Sequence, residues 1–345
     1  MCETLSLLLF PNCKTDGIDI YRYRNRTGKR DDQMTGGPIE IVGLRKQFKD
    51  FVAVNDLTLS VKKNSFTGFL GPNGAGKSTT LKILTNLIRA SSGSAYLNGI
   101  DITEDPKNAL RGVGTVVETP EFYSYLTPKQ TFRYMGGLFG MTRESIDSQA
   151  DEILEEMKIS EWADKKIGTF SKGMKQRVSI GLSMLDDPSI IILDEPTSGL
   201  DPRGMAETRE ILKNLRKRHN NLTILMSSHM LHEVSDMCDR IALINHGTLI
   251  LEGDMDDVLG ANSFRNISVK VVGGASKSDA DIISSIPNVQ NVEYGGNTVR
   301  FVFKGGDIEQ MELLRTITDR GVKVYSLNED EALESIYLNM IKESR

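Results

Sequence analysis

Residues Gly71-Pro72-Asn73-Gly74-Ala75-Gly76-Lys77-Ser78-Thr79 fit the pattern G-x-x-x-x-G-K-[ST]. Upstream, Ser65 to Leu70 (SFTGFL) predicts a short buried strand. Downstream, Leu81, Leu84, Leu87 and Ile88 recur at helical spacing. A strand, a glycine-rich turn and a helix N-terminus together form an anion site. Glycine lets the backbone come close, so successive N–H groups point at phosphate oxygens, and the helix dipole adds positive potential. Lys77 can neutralise β/γ-phosphate charge, and Ser78 can offer a hydroxyl to Mg2+. The competing explanation is a glycine-rich turn that ends in Lys-Ser by chance. The strand–loop–helix context weighs against it.

The chain has 345 residues, enough for two or three domains. Its 39% hydrophobic and 26% charged content is that of an ordinary globular protein. A net charge of −5 gives no global basic field, so no nucleic-acid partner is expected. Cys2, Cys13 and Cys238 make neither a disulfide framework nor a C-x-x-C pair, which fits a reducing cytosolic location. No apolar run approaches the ~18–20 residues that span a bilayer. The run Leu5–Phe10 is short and follows Glu3 rather than a basic cluster, so it does not read as a signal peptide. Any membrane role is therefore expected to come through a partner.

Residues 1–36 differ from the rest. Cys13 to Gly37 is polar and turn-rich, and the expectation is a disordered extension. Met34 lies just before the first strand-like segment, so an upstream start-codon artefact is one explanation of this stretch. From Ile39 the pattern is strand-like: IEIVGL, then FVAVNDLTLSV. Phe48 sits between Lys46 and Lys49. A hairpin turn is expected at Asn98-Gly99. From about Pro120 to Leu185 the pattern is helical, which is most simply a helical insertion into an α/β domain.

Ile190 to Leu193 is a continuous apolar run ending at Asp194-Glu195-Pro196. Such a run suits a parallel strand buried on both faces, and open α/β sheets bind ligands at the C-terminal ends of such strands. On its own, Asp194-Glu195 reads as an ordinary strand-end turn. Beside a phosphate loop it reads as a source of an Mg2+ ligand. A further strand, LTILMSS, ends at Ser228-His229, and RIALINHGTLILEGD predicts a hairpin at His246-Gly247. From about Ala261 the order β-α-β-β-α-β emerges, with a last helix over EALESIYLNMIK. That order is the split βαβ, ferredoxin-like motif.

Five motifs occur in order: GPNGAGKST, FSKGMKQR (Phe170–Arg177), IIILDEP (Ile190–Pro196), SGLD (Ser198–Asp201) and SSH (Ser227–His229). With them the chain resembles the ATP-binding subunit of an ABC transporter, roughly from Ile39 to Gly253. FSKGMKQR, with Glu118 in the loop before FYSYLT, is most similar to the bacitracin-resistance type of exporter ATPase. The resemblance implies a P-loop ATPase domain over 37–260, with a helical subdomain at about 119–185. An accessory α+β domain would cover 261–345. It implies an ATPase that works with ATP and Mg2+ at the cytoplasmic face of the membrane, docked on a separate permease. It also implies a second copy, or a paralogue, that completes a nucleotide sandwich.

Roles follow position by position from the resemblance. Phe48 matches the aromatic that stacks on adenine. Gly71, Pro72, Asn73, Gly74, Ala75, Gly76, Lys77, Ser78 and Thr79 would hold the phosphates. Ser78 and Asp194 would ligate Mg2+, with Glu118 as a further ligand. Glu195 would polarise the attacking water, and His229 would contact both the γ-phosphate and Glu195. Ser171 and Gly173 would reach the γ-phosphate of the opposite subunit, and Asp201 matches the loop that communicates across the dimer.

Two positions depart from the family pattern. Glu118 replaces the usual Gln and places a negative charge close to ATP. It either strengthens Mg2+ binding, slows γ-phosphate release, or is simply tolerated in the subfamily. Lys172 replaces the common signature Gly and is expected to be electrostatically harmless. Two rival functions remain. A soluble ABC ATPase of translation or DNA repair usually carries two ATPase halves or a long inserted coiled coil; one half is seen here, and the spacing from Lys77 to Ser171 leaves no room for such an arm. A non-catalytic nucleotide-binding regulator is disfavoured by intact Glu195 and His229. The cargo is not encoded in such a subunit, because the translocation path lies in its partner.

Overall fold

The computed structural model describes residues 36–118, 121–260 and 264–330. The expected N-terminal extension and final helix lie outside these residues, except for Gly36. The described chain forms two compact units, 36–257 and 258–330.

The first unit begins with the hairpin β1 (Ile39–Phe48) and β2 (Phe51–Val61). Then come β3 (Phe66–Leu70), α1 (Lys77–Leu84), β4 (Ser92–Leu97), β5 (Ile100–Asp101), α2 (Pro106–Ala109) and β6 (Val113–Val116). A helical stretch follows: α3 (Pro128–Leu138), α4 (Arg143–Glu156) and α5 (Lys172–Ser183). The unit continues with β7 (Ile190–Asp194), α6 (Pro202–Arg218), β8 (Thr223–Ser228), α7 (Leu231–Met237), β9 (Arg240–Asn245) and β10 (Thr248–Asp254).

Two sheets enclose α1. An antiparallel sheet has the order β2-β1-β4-β5, and a second has the order β10-β9-β3-β8-β7-β6. In the second sheet only β10 runs antiparallel to its neighbour. Leu81, Ile83 and Leu84 of α1 share one buried cluster with Leu57 and Leu97 of the first sheet and Phe69, Ile190 and Leu225 of the second. Ile190 to Leu193 are fully covered, as their unbroken apolar run predicts for a strand with layers on both faces. Each such side chain contributes about 1.5–3 kcal/mol by leaving water.

Strand register fixes the site. Leu70 at the end of β3 pairs with Ser228 at the end of β8, and Asp194 at the end of β7 pairs with Ser227. The phosphate loop, Asp194-Glu195 and His229 therefore leave three adjacent parallel strands at the same edge, where open α/β sheets bind ligands.

Sequence signals account for the helix starts. Thr127 caps α3 in a reciprocal box with Gln130, and Pro128 occupies its first turn. Thr142, Ser171 and Asp201 cap α4, α5 and α6 through side-chain oxygens. The expected hairpins at Asn98-Gly99 and His246-Gly247 are present, with positive φ at all four residues. Two expectations fail. The helix of the phosphate loop was expected to bury Leu87, but α1 ends at Leu84 and Leu87 is 58% exposed. Asn86 adopts φ +55°, and the amides of Leu87 and Ile88 turn back to the Lys82 carbonyl, closing the helix early. The segment 121–127 also lies outside any helix.

The second unit contains β11 (Phe264–Val271), α9 (Lys277–Ser284), β12 (Val289–Gly295), β13 (Thr298–Lys304), α10 (Asp307–Asp319) and β14 (Val324–Asp330). The short α8 (Met255–Gly260) precedes it and spans the boundary. The sheet is antiparallel with the order β12-β13-β11-β14, which is the ferredoxin-like arrangement predicted from the order of elements. Val269, Phe301 and Phe303 on one sheet face pack with Ile283 of α9 and Ile317 of α10. Among the described residues of the chain, no helix is long and apolar enough to cross a membrane.

Candidate active site

The phosphate loop is shaped by glycine. Gly74 and Gly76 hold φ of +81° and +104°. A Cβ on Gly76 would lie 2.4 Å from the Ala53 carbonyl of β2, so only glycine lets loop and hairpin meet there. The Gly247 amide donates to the Ala75 carbonyl, and the Asn55 amide donates to Gly247. Gly76 is the N-cap of α1, and no side chain caps that end. This leaves first-turn amides available to an anion.

Lys77 is 4% exposed. Its Nζ donates to the carbonyls of Gly71 (2.7 Å) and Pro72 (3.1 Å) and lies 3.6 Å from the Glu195 carboxylate. Burial pushes the Lys77 ammonium below its ordinary range, and the negative charges of Glu195 and Asp194 oppose that shift.

Ser227 joins the two acidic residues. Its hydroxyl donates to Asp194 Oδ1 (2.5 Å) and accepts from the Glu195 amide (2.9 Å). Glu195 has φ +44°, an uncommon conformation for a residue with a side chain. Ser227 on one side, and the Ser198 amide donating to the Glu195 carbonyl at 3.0 Å on the other, hold it there. The Glu195 carboxylate lies 3.2 Å from His229 Nδ1. His229 in turn stands on a fixed turn: Ser228 Oγ accepts from the Met230 amide and donates to the buried Glu233.

The fold thus gathers the phosphate loop, Lys77, Asp194, Glu195 and His229 at one strand edge, with Ser78 in the first turn of α1. The other predicted residues sit elsewhere. Phe48 ends β1 and is 44% exposed, with the Lys46 ammonium 4.8 Å from its ring centre. The hairpin that carries Phe48 passes the phosphate loop at Ala53. Glu118 has φ +83°, and its carboxylate pairs with Lys82 at 2.6 Å. Ser171 and Gly173 open α5 and, among the described residues, make no hydrogen bond to the phosphate loop. Lys172 Nζ donates to the Ser198 carbonyl at 3.2 Å. Asp201 accepts from Gly204 and caps α6.

Sequence reasoning assigned no role to Ser227 or Lys82. The repeated serine before His229 and the position of Lys82 one helical turn after Ser78 were the available signals. The donor set suits a hard cation. Ser78 and Asp194 offer oxygen only. Among the described residues, no group of three or more His, Cys, Asp or Glu side chains forms a cage. Mg2+ held by one or two protein oxygens together with substrate phosphates fits this arrangement.

A parallel sheet edge with this loop and these carboxylates defines a P-loop ATPase. Residues 54–198 match the family described as ABC transporter. The linearmycin resistance ATP-binding protein LnrL of Bacillus subtilis (strain 168) is 30% identical over 88% of this chain and 97% of its own length. The bacitracin transport ATP-binding protein BcrA of Bacillus licheniformis is 37% identical over 65% of this chain and 72% of its own. Among solved structures, cbiO1 from Clostridium perfringens superposes with a TM-score of 0.59 at 26% identity, covering 65% of this chain and 91% of that one. The chain belongs to the ABC transporter ATP-binding family, and its activity is that of an ATPase.

Proposed function

We propose that this chain is the ATP-hydrolysing subunit of an exporter and drives a separate membrane permease from the cytoplasmic face. The convergence of Lys77 and His229 on the Glu195 carboxylate, at the mouth of the phosphate loop, supports hydrolysis rather than binding alone. Residues 71–79 hold the phosphates through loop amides and Lys77. Ser78 and Asp194 would hold Mg2+, and Glu118, on the loop after β6, would add a further oxygen; when bound, Mg2+ would offset the negative charge of the phosphates. Glu195 polarises one water as general base while His229 orients the carboxylate. The water oxygen bonds to the γ-phosphorus, the bond from that phosphorus to the bridging oxygen breaks, and Glu195 takes the water proton. Phe48 stacks on adenine. Ser171 and Gly173 complete the site of a second copy or close paralogue.

In this reading residues 37–260 form the motor, with a helical subdomain at about 119–185, and 261–345 form an accessory domain. The permease docks beside Glu118 and the helical stretch. The exposed rings of Tyr123, Tyr125 and Tyr134 support that placement. Their centroids lie 5.7 Å (Tyr123–Tyr125) and 5.9 Å (Tyr123–Tyr134) apart on this surface. The relatives named for linearmycin resistance and bacitracin transport support export, and the solved cassette described as part of a transporter complex supports a permease partner.

Finding a five- or six-span membrane protein in the neighbouring reading frame, and co-expressing it with this chain, tests the proposal. The two are expected to co-purify in detergent, and ATP turnover is expected to change when the permease is present. An active ATPase that captures no membrane partner would instead favour a soluble, non-transport ABC ATPase.

A further inference from the structure

Lys82 and Ser78 are four residues apart on α1, and side chains at that spacing lie one above the other on the same helix face. The Lys82 ammonium lies 2.6 Å from the Glu118 carboxylate. Glu118 adopts φ +83°, which aims its side chain from a backbone conformation that residues other than glycine seldom take. The acid that replaces the family's Gln is therefore not a bare negative charge beside the phosphates.

We propose that Lys82 is a positioning residue for Glu118. It holds this carboxylate one helical turn along α1 from Ser78 and offsets its charge, and so sets how tightly the site grips the Mg2+–nucleotide complex. This rests on the assignment of Ser78, Asp194 and Glu118 to Mg2+. The pair suits such a role because it is exchangeable. Lys82 is 32% and Glu118 59% exposed, and ion pairs at that exposure are weak enough to open and re-form. A carboxylate attracts Mg2+ more strongly than a neutral amide oxygen does. Without Lys82 that attraction has no counterweight, and release after turnover slows.

The test is a cycle of Lys82→Met, Glu118→Gln and the double variant in the full chain. A fluorescent non-hydrolysable ATP analogue reports binding as Mg2+ is titrated. Lys82→Met is expected to lower the half-saturating Mg2+ concentration by about three- to tenfold. Lys82→Arg should keep the wild-type value, and Lys82→Met should have little further effect once Glu118 is Gln. No shift, or an equal shift in both backgrounds, overturns the proposal, because Lys82 would then be either a surface pair or a bare charge. Unchanged thermal unfolding midpoints of the nucleotide-free variants check the fold. Mg2+-independent binding by the wild type would instead overturn the site assignment itself.

Discussion

Glu195 Oε1 lies 3.2 Å from Nδ1 of His229, although the two residues belong to loops after different strands. The register of β7 on β8 makes the meeting possible, and Ser227 secures it by bonding both Asp194 and the Glu195 amide. A carboxylate held this firmly, from a strained backbone, suits the role proposed for it, which is to act on one water.

If His229 orients that carboxylate, its removal slows chemistry more than binding. His229→Ala is expected to lower ATP turnover by about 100-fold, within the usual range for lost acid–base assistance. ATP affinity should change little. Parallel measurements of kcat and nucleotide Kd check this; a loss confined to affinity would place His229 in binding instead.

Gly74 and Gly76 provide a matched comparison. Both have positive φ, but a Cβ on Gly74 meets nothing within 4 Å, whereas one on Gly76 meets the Ala53 carbonyl at 2.4 Å. Gly74→Ala should cost about 1 kcal/mol from backbone conformation alone. Gly76→Ala should cost about 2–4 kcal/mol, because the hairpin backbone must move. Urea unfolding of the two variants without nucleotide tests the difference.

Glu252 supplies the pH prediction. Burial raises its pKa, against the lowering effects of Arg240 and a backbone hydrogen bond from Ser60. A carboxyl whose folded pKa exceeds its unfolded value favours the folded state only while protonated. That contribution is fully present below the unfolded pKa and is lost as pH rises through the folded one. Arg240 keeps Asp254 as a partner at 2.6 Å if Glu252 is neutralised. Glu252→Gln should therefore stabilise the protein at pH 7 by on the order of 0.5 kcal/mol. The advantage should shrink as pH falls through the unfolded pKa and vanish by about pH 3. Melting temperatures at the two pH values decide the matter.

Most of the fold follows from local pattern. The unbroken apolar run at Ile190 to Leu193 marks a strand covered on both faces, and the turn residues at Asn98-Gly99 and His246-Gly247 mark the hairpins. The site's loop and carboxylates are legible because phosphate chemistry restricts which residues serve. Other features were hidden. The early end of α1 depends on Asn86 taking a left-handed conformation that the periodicity of Leu81, Leu84 and Leu87 does not encode. The Lys82–Glu118 pair joins residues separated by several strands, so spacing along the chain cannot reveal it. Ser227 acts through strand register, which is a property of the assembled sheet.

The most direct test of the account is Glu195→Gln, which keeps the shape of the side chain and removes its charge. The variant should bind ATP with Mg2+ at least as well as the wild type, and its turnover should fall by about 100-fold or more. Unchanged turnover would contradict the assignment of Glu195 as general base, and with it the mechanism proposed for this site.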